Sequence, residues 1–185
     1  MSEALWAFGR VSGAMSLLFF TASVVLGIIT RSGRPLPGLP RFSISLIHRN
    51  IAMLASAFLV LHVVTLILDP FAHLRIIDTF APFIGSFKPF WQGLGTVAFD
   101  LILAIVITSL FRRWLGARLF TAVHWFTYAM WPIAVVHSIG NGTNGTNKWF
   151  LLFVVICAVS VVSASIWRVS GRFLEVAEAR AGRAR

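Results

Sequence analysis

Apolar residues in this chain come in long unbroken blocks, with no strict alternation and no single amphipathic stripe. Five blocks of about 20 residues carry almost no charge, the length a helix needs to cross a bilayer. They span residues 11–30, 45–68, 93–111, 119–139 and 149–167. Helix breakers fall between them: Arg34-Pro35-Leu36-Pro37-Gly38, Pro70, Pro82, Pro89, Gly116 and the run from Asn141 to Asn147. The pattern predicts an all-α integral membrane bundle of five transmembrane helices. Residues 1–185 are read as one domain, because five spans and their loops use nearly the whole length.

Composition strengthens this reading. Of the 185 residues 58% are hydrophobic and 12% charged, and the mean hydropathy is +0.85, so lipid rather than water is the expected solvent. A net charge of +10 raises the question of nucleic acid. The arginines, however, sit in loops between apolar blocks and form no basic face, so no nucleic-acid partner is expected. Assigned to alternate sides, Arg10, Lys88, Arg75 and Lys148 fall on one side and the other twelve of the 16 cations on the other. The positive-inside rule then puts the N-terminus outside and the C-terminus in the cytoplasm of a cell membrane, a bacterial inner membrane by expectation. Trp6, Trp91, Trp114, Trp149 and Trp167 lie near span ends, as an interfacial aromatic belt requires. The first block follows Glu3 rather than a basic cluster and is too long for a signal peptide. The single cysteine, Cys157, leaves no disulfide framework, covalent haem motif or iron-sulfur ligand set, so any cofactor must be held by histidine.

Four of the five histidines lie in two spans, His48 and His62 in the second and His124 and His137 in the fourth. Residues 14 apart on a helix share a face and stand about 21 Å apart along the axis. Both spans run in the same direction, so His48 comes level with His124 on the inner side and His62 with His137 on the outer side. Two stacked cross-helix pairs are the ligand sets of two low-spin b haems, each iron filled by imidazole on both faces. The 13-residue step from His124 to His137 leaves those two about 140° apart on an ideal helix, so a local deformation is expected, with Pro132 as its candidate source. His73 has no partner at a suitable spacing and reads as a solvated loop residue.

At these residues the sequence resembles the ferric reductase-like transmembrane domain family, which includes the membrane core of NADPH oxidases and the haem subunit of the bacterial methionine sulfoxide reductase system. The resemblance is carried by Gly9-Arg10-Val11-Ser12-Gly13, His48-Arg49, His62-Val63, Gly93-Leu94-Gly95, Thr108-Ser109 before Arg112-Arg113, and His124 with Tyr128 and His137. It implies a compact helical domain with two b haems, His48 and His124 ligating one iron, His62 and His137 the other. Phe120 stands where relatives commonly have Trp, and Gly-Thr-Asn where they have Gly-Thr-Asp. Oxidases and iron reductases of the family continue into a flavin and NADPH domain, whereas 18 residues follow Trp167 here. The expected protein is therefore an electron-transfer subunit rather than a complete enzyme.

Arg10 and Arg49 adjoin the two haem levels, where guanidinium groups would neutralise propionates or would anchor headgroups. Asp100 is the one carboxylate within a span; a structural hydrogen bond to Ser, Thr or Trp on a neighbouring helix is expected, with a proton or quinone role as the alternative. The stretch from Phe80 to Trp91 reads as a re-entrant or surface segment. The expected function is electron transfer across the membrane. The donor would be a cytoplasmic flavin reductase or a quinol, and the acceptor an outer flavoprotein, a molybdenum reductase or ferric iron. The rival is a non-redox small membrane protein, such as an assembly factor or transporter subunit, with structural histidines.

Overall fold

The computed structural model of the protein describes residues 2–32, 38, 40–142, 145–170 and 173. The regular elements among them are helical: α1 (Ser2–Ser32), α2 (Arg41–Leu68), a short 3-10 helix (Ile76–Thr79), α3 (Pro89–Leu110), α4 (Arg112–His124), α5 (Thr127–Asn141) and α6 (Lys148–Val169). Most of the Pro-rich loop after α1, the Thr143-Asn144 pair and nearly all of the arginine-rich tail lie outside the described residues.

Helices α1, α2, α3 and α6 are each long and apolar enough to cross a membrane, and α4 with α5, bent by 50° at their junction, makes a fifth span when counted as one. The five predicted blocks all fall on these elements. The fourth, expected as one helix over 119–139, is broken, and the break lies at Trp125 and Phe126 rather than at Pro132, which sits inside α5. The physical cause is local hydrogen bonding. Phe126, Tyr128 and Ala129 donate their N–H groups three residues back, to Val123, Trp125 and Phe126. Such bonds tighten the turn and add roughly 20° of rotation per residue over an α-helix. That rotation is in the direction needed to bring His137 toward the face of His124. Trp125 packs against Tyr128 with the rings tilted and 5.3 Å apart, and Arg168 of α6 lies over the Trp125 ring, bracing the bend. A second irregularity precedes it: Gly116 has φ 81, a left-handed conformation that a glycine adopts without strain.

Helix α1 packs along α2 over much of its length and also touches α5 and α6, while α3 packs on α5. The core between them holds Val24, Ile28, Ala98, Ile102, Met130, Trp131, Cys157 and Val161. Buried polar groups stitch it: Trp131 Nε1 donates to Thr21 Oγ1 at 3.0 Å, and Ser16 Oγ donates to the Ala55 carbonyl at 3.1 Å. Large apolar side chains on α2 and α6, such as Val60, Ile156 and Val159, remain exposed. In water that surface would be costly; against lipid it is the matching solvent.

The segment between α2 and α3, which holds the short 3-10 helix, is pinned by an ion pair. Asp78, 1% exposed, accepts from Arg75 Nε at 3.0 Å, Arg75 Nη2 at 2.7 Å and the Arg75 backbone N–H at 3.0 Å. This forked ion pair starts the 3-10 helix, and the Asp78 carbonyl accepts from Thr96 Oγ1 of α3 at 2.7 Å. Residues 80–88 thus fold back over the start of α3, which takes up the last three residues of the expected 80–91 stretch, with the Phe83 ring and backbone packed on Gly93.

Candidate haem-binding site

Antiparallel packing of α1 on α2 sets the histidines of α2 against glycines of α1. A Cβ on Gly13 would stand 2.9 Å from the His62 ring, and one on Gly27 would stand 3.3 Å from the His48 ring. The two glycines are 14 residues apart, the same interval as His48 and His62, so one helical repeat serves both levels. On α3 a Cβ on Gly95 would run into the His137 ring. The His62 and His137 rings therefore lie where only a hydrogen atom leaves room for them, and the His48 ring packs tightly on Gly27.

Hydrogen bonds then fix which ring nitrogen is free. His62 Nδ1 lies 2.6 Å from the Gly9 carbonyl, His48 Nδ1 2.9 Å from the Ser23 carbonyl, and His137 Nδ1 2.8 Å from the Trp91 carbonyl. A carbonyl only accepts, so each Nδ1 is the N–H donor and each Nε2 keeps its lone pair. That is the state of a metal ligand oriented by an outer partner. His124 differs. Its Nδ1 is buried without a hydrogen-bond partner, and its ring instead stacks on Phe120 at 5.1 Å, with the Arg112 guanidinium on the other member of the stack, 4.5 Å from the Phe120 centre.

His48 and His124 have ring centroids 6.3 Å apart and ring planes at 78° to each other. With metal–nitrogen bonds of about 2 Å and a ring nitrogen roughly 1 Å from its centre, two imidazoles on one iron stand about 6 Å apart. The residues present thus fit a bis-imidazole metal at this level. His62 and His137 line one cavity of about 690 Å³, together with Gly13, Gly95, Arg10 and Ala98. That volume is within the range of cofactor pockets, and its walls are mainly apolar, as a macrocycle requires. No group of three or more His, Cys, Asp or Glu stands together among the described residues; a haem with two axial imidazoles takes only two.

The chain matches the ferric reductase like transmembrane component family over residues 12–135. It belongs to that family. Membership carries a membrane electron-transfer role for the domain, whose relatives generally bind haem. The matched segment holds His48, His62 and His124 and ends short of His137. No curated protein and no solved structure matches the chain.

The remaining expected residues fall as follows. Arg10 lines the cavity with its guanidinium 4.1 Å from the Trp6 ring centre. Arg49 is exposed, and Arg31 and Arg112 are cations close enough to act on His124. In sequence both read as loop charges, Arg112 also as part of the family resemblance, with no link to His124. Phe120 was noticed only as a departure from relatives; its stacking needs the α4 turn, which brings residues four apart onto one face. His73 is exposed and has φ 50, in keeping with a loop residue. Asp100 is half-buried near the middle of α3, and among the described residues the expected hydrogen bond to Ser, Thr or Trp on a neighbouring helix is not formed. It shares a face with Ala104 and Ile107, both exposed, one and two turns along, so it points away from the helices that would have supplied a donor.

Proposed function

We propose that this protein is the di-haem b-type cytochrome subunit of a transmembrane electron-transfer system, with its N-terminus outside and its C-terminus in the cytoplasm. His48 and His124 hold the inner haem iron, and His62 and His137 the outer one. Each bound haem would cycle between ferrous and ferric iron by single electrons. The chain's own residues do the rest: they present lone pairs, orient the imidazoles through backbone carbonyls, and exclude water with the apolar core between the levels. Arg10 at the outer level and Arg49 at the inner, joined there by Arg31 and Arg112, offset the propionate charge. Electrons pass from a cytoplasmic flavin reductase or a quinol to an outer flavoprotein, molybdenum reductase or ferric iron, so the subunit works with separate redox partners.

The observation that carries this reading is the His48–His124 spacing of 6.3 Å together with a carbonyl on Nδ1 of His48, His62 and His137. Family membership weighs against the non-redox rival. Purified protein, expressed with ample haem, is expected to contain two b haems per chain with low-spin six-coordinate reduced-minus-oxidised spectra. His124→Ala should remove one haem and His137→Ala the other. Haem content near zero in the parent protein would refute the proposal.

A further inference from the structure

Asp100 is a carboxyl group that the electron-transfer reading does not use. It is the twelfth of the 22 residues of α3, about 16 Å from one end of the helix and about 15 Å from the other. A hydrocarbon core is about 30 Å thick, so Asp100 lies near its midplane, too deep for a short side chain to reach either interface. Ala98 and Ile102, each 5% exposed and part of the core, stand two residues to either side, and so about 200° around the helix from it. Both line the cofactor cavity. The carboxyl therefore projects from the opposite side of α3, where Leu103, Ala104 and Ile107 are exposed.

Lipid does not suit this placement. Ionised, the carboxyl calls for a cation or hydrogen-bond donors; protonated, it still holds a donor and an acceptor that acyl chains cannot pair. Ionisable groups at this depth almost always turn toward a bundle interior or a polar cavity. Asp100 turns outward, and among the described residues it has neither a hydrogen bond nor an ion pair. A further helix laid along this side would turn it into an interior, and Ala104, one turn along, is small enough to let a backbone come close. The charge selects the occupant. Helix α3 carries no cation of its own, and a two-fold pairing of copies through this face would set Asp100 against Asp100. A cation from a different chain pairs the carboxyl, and the helix that bears it covers the apolar residues around it. We propose that the Asp100–Ala104–Ile107 face of α3 docks a transmembrane helix of a separate membrane subunit, one that carries a lysine or arginine at mid-depth. This needs only the placement of α3 and stands apart from the haem assignment.

The test is energy transfer in phosphatidylcholine vesicles between the fluorophore-tagged protein and two leucine-rich transmembrane peptides, one with a single lysine at its centre and one with leucine there. The lysine peptide is expected to associate about tenfold or more tightly than its leucine counterpart. Asp100→Leu should abolish that difference and Asp100→Asn reduce it, with helix content and haem content equal to the parent's because the cavity lies on the other side of α3. Equal association of the two peptides with the parent, or a preference for lysine that survives in Asp100→Leu, would overturn the proposal. So would a parent that is dimeric in bicelles and monomeric as Asp100→Leu, since a second copy would then cover the face. Loss of haem or helix content in both variants would overturn it too, by showing that the carboxyl acts inside this chain.

Discussion

Single atoms decide the fit around the imidazoles. Gly13 and Gly95 have no side chain, and a methyl on either would occupy space held by His62 or His137. The flanking carbonyls of Gly9 and Trp91 fix those rings, so the rings cannot swing aside without losing a hydrogen bond of about 1 kcal/mol and the ligand geometry with it. Gly13→Val and Gly95→Val are therefore expected to lower haem content from two to one per chain, leaving the His48–His124 level in place. Pyridine haemochrome analysis reads this directly; retention of both haems in both variants would show that the glycines are incidental. His124, the one histidine of the four without a carbonyl on Nδ1, is held by the Phe120 stack.

The informative element is the broken fourth span. Pro132 has no N–H to offer, and a proline within a helix is the usual suspect for a kink. Here the rotation is made three to six residues earlier, by the tightened turn at Phe126 to Ala129 and its Trp125–Tyr128–Arg168 brace. Pro132→Ala should consequently leave the haem spectrum and stoichiometry unchanged, with thermal stability equal or higher because a missing helix hydrogen bond is regained. Loss of the His137-linked haem on this substitution would put the decisive distortion back at the proline. The element that caps the cavity responds to acid. The Arg75 guanidinium, hydrogen-bonded to Asp78, holds that carboxyl below the ordinary carboxylate range. A depressed folded-state value contributes stability that is complete above the unfolded value, near pH 4, and is lost as pH falls through the folded one. Amide exchange in residues 76–96 should thus be slow at pH 6 and rise below about pH 4. Exchange independent of pH once the intrinsic rate is divided out would show that the ion pair does not hold the segment.

For the molecule as a whole, the exposed apolar faces of α2 and α6 and the small, polar-stitched core describe a bundle whose packing is ordered by close approach and buried hydrogen bonds. Between helices in lipid there is little apolar burial to gain, so small residues and interhelical hydrogen bonds take over that part. The same devices that join α1 to α2 also seat the histidines: Gly13 and Gly27 admit the rings, and Gly9 and Ser23 bond them.

How much of this was legible in the chain depends on the range of the interaction. Helical class, four to five apolar spans and the placing of His48 and His62 on one face follow from composition and helix period, which are local and repeat along the sequence. The family resemblance read from Gly9–Gly13, His48, His62, His124 and Tyr128 is likewise a property of the linear order, and the match over residues 12–135 agrees with it. Three things required the tertiary structure. The deformation of the fourth span lies at Trp125 rather than Pro132 because hydrogen bonds and a stack from α6 decide it, and neither is marked by a residue type. Asp100 lacks its expected partner because the direction of α3 against its neighbours, not its hydropathy, sets what it meets. The outer cavity sets Gly13 of α1 against His62 and Gly95 of α3 against His137, and no spacing in the sequence pairs a glycine with a ring on another helix. Periodicity places a residue on a face of its own helix; only packing of the helices tells what stands opposite.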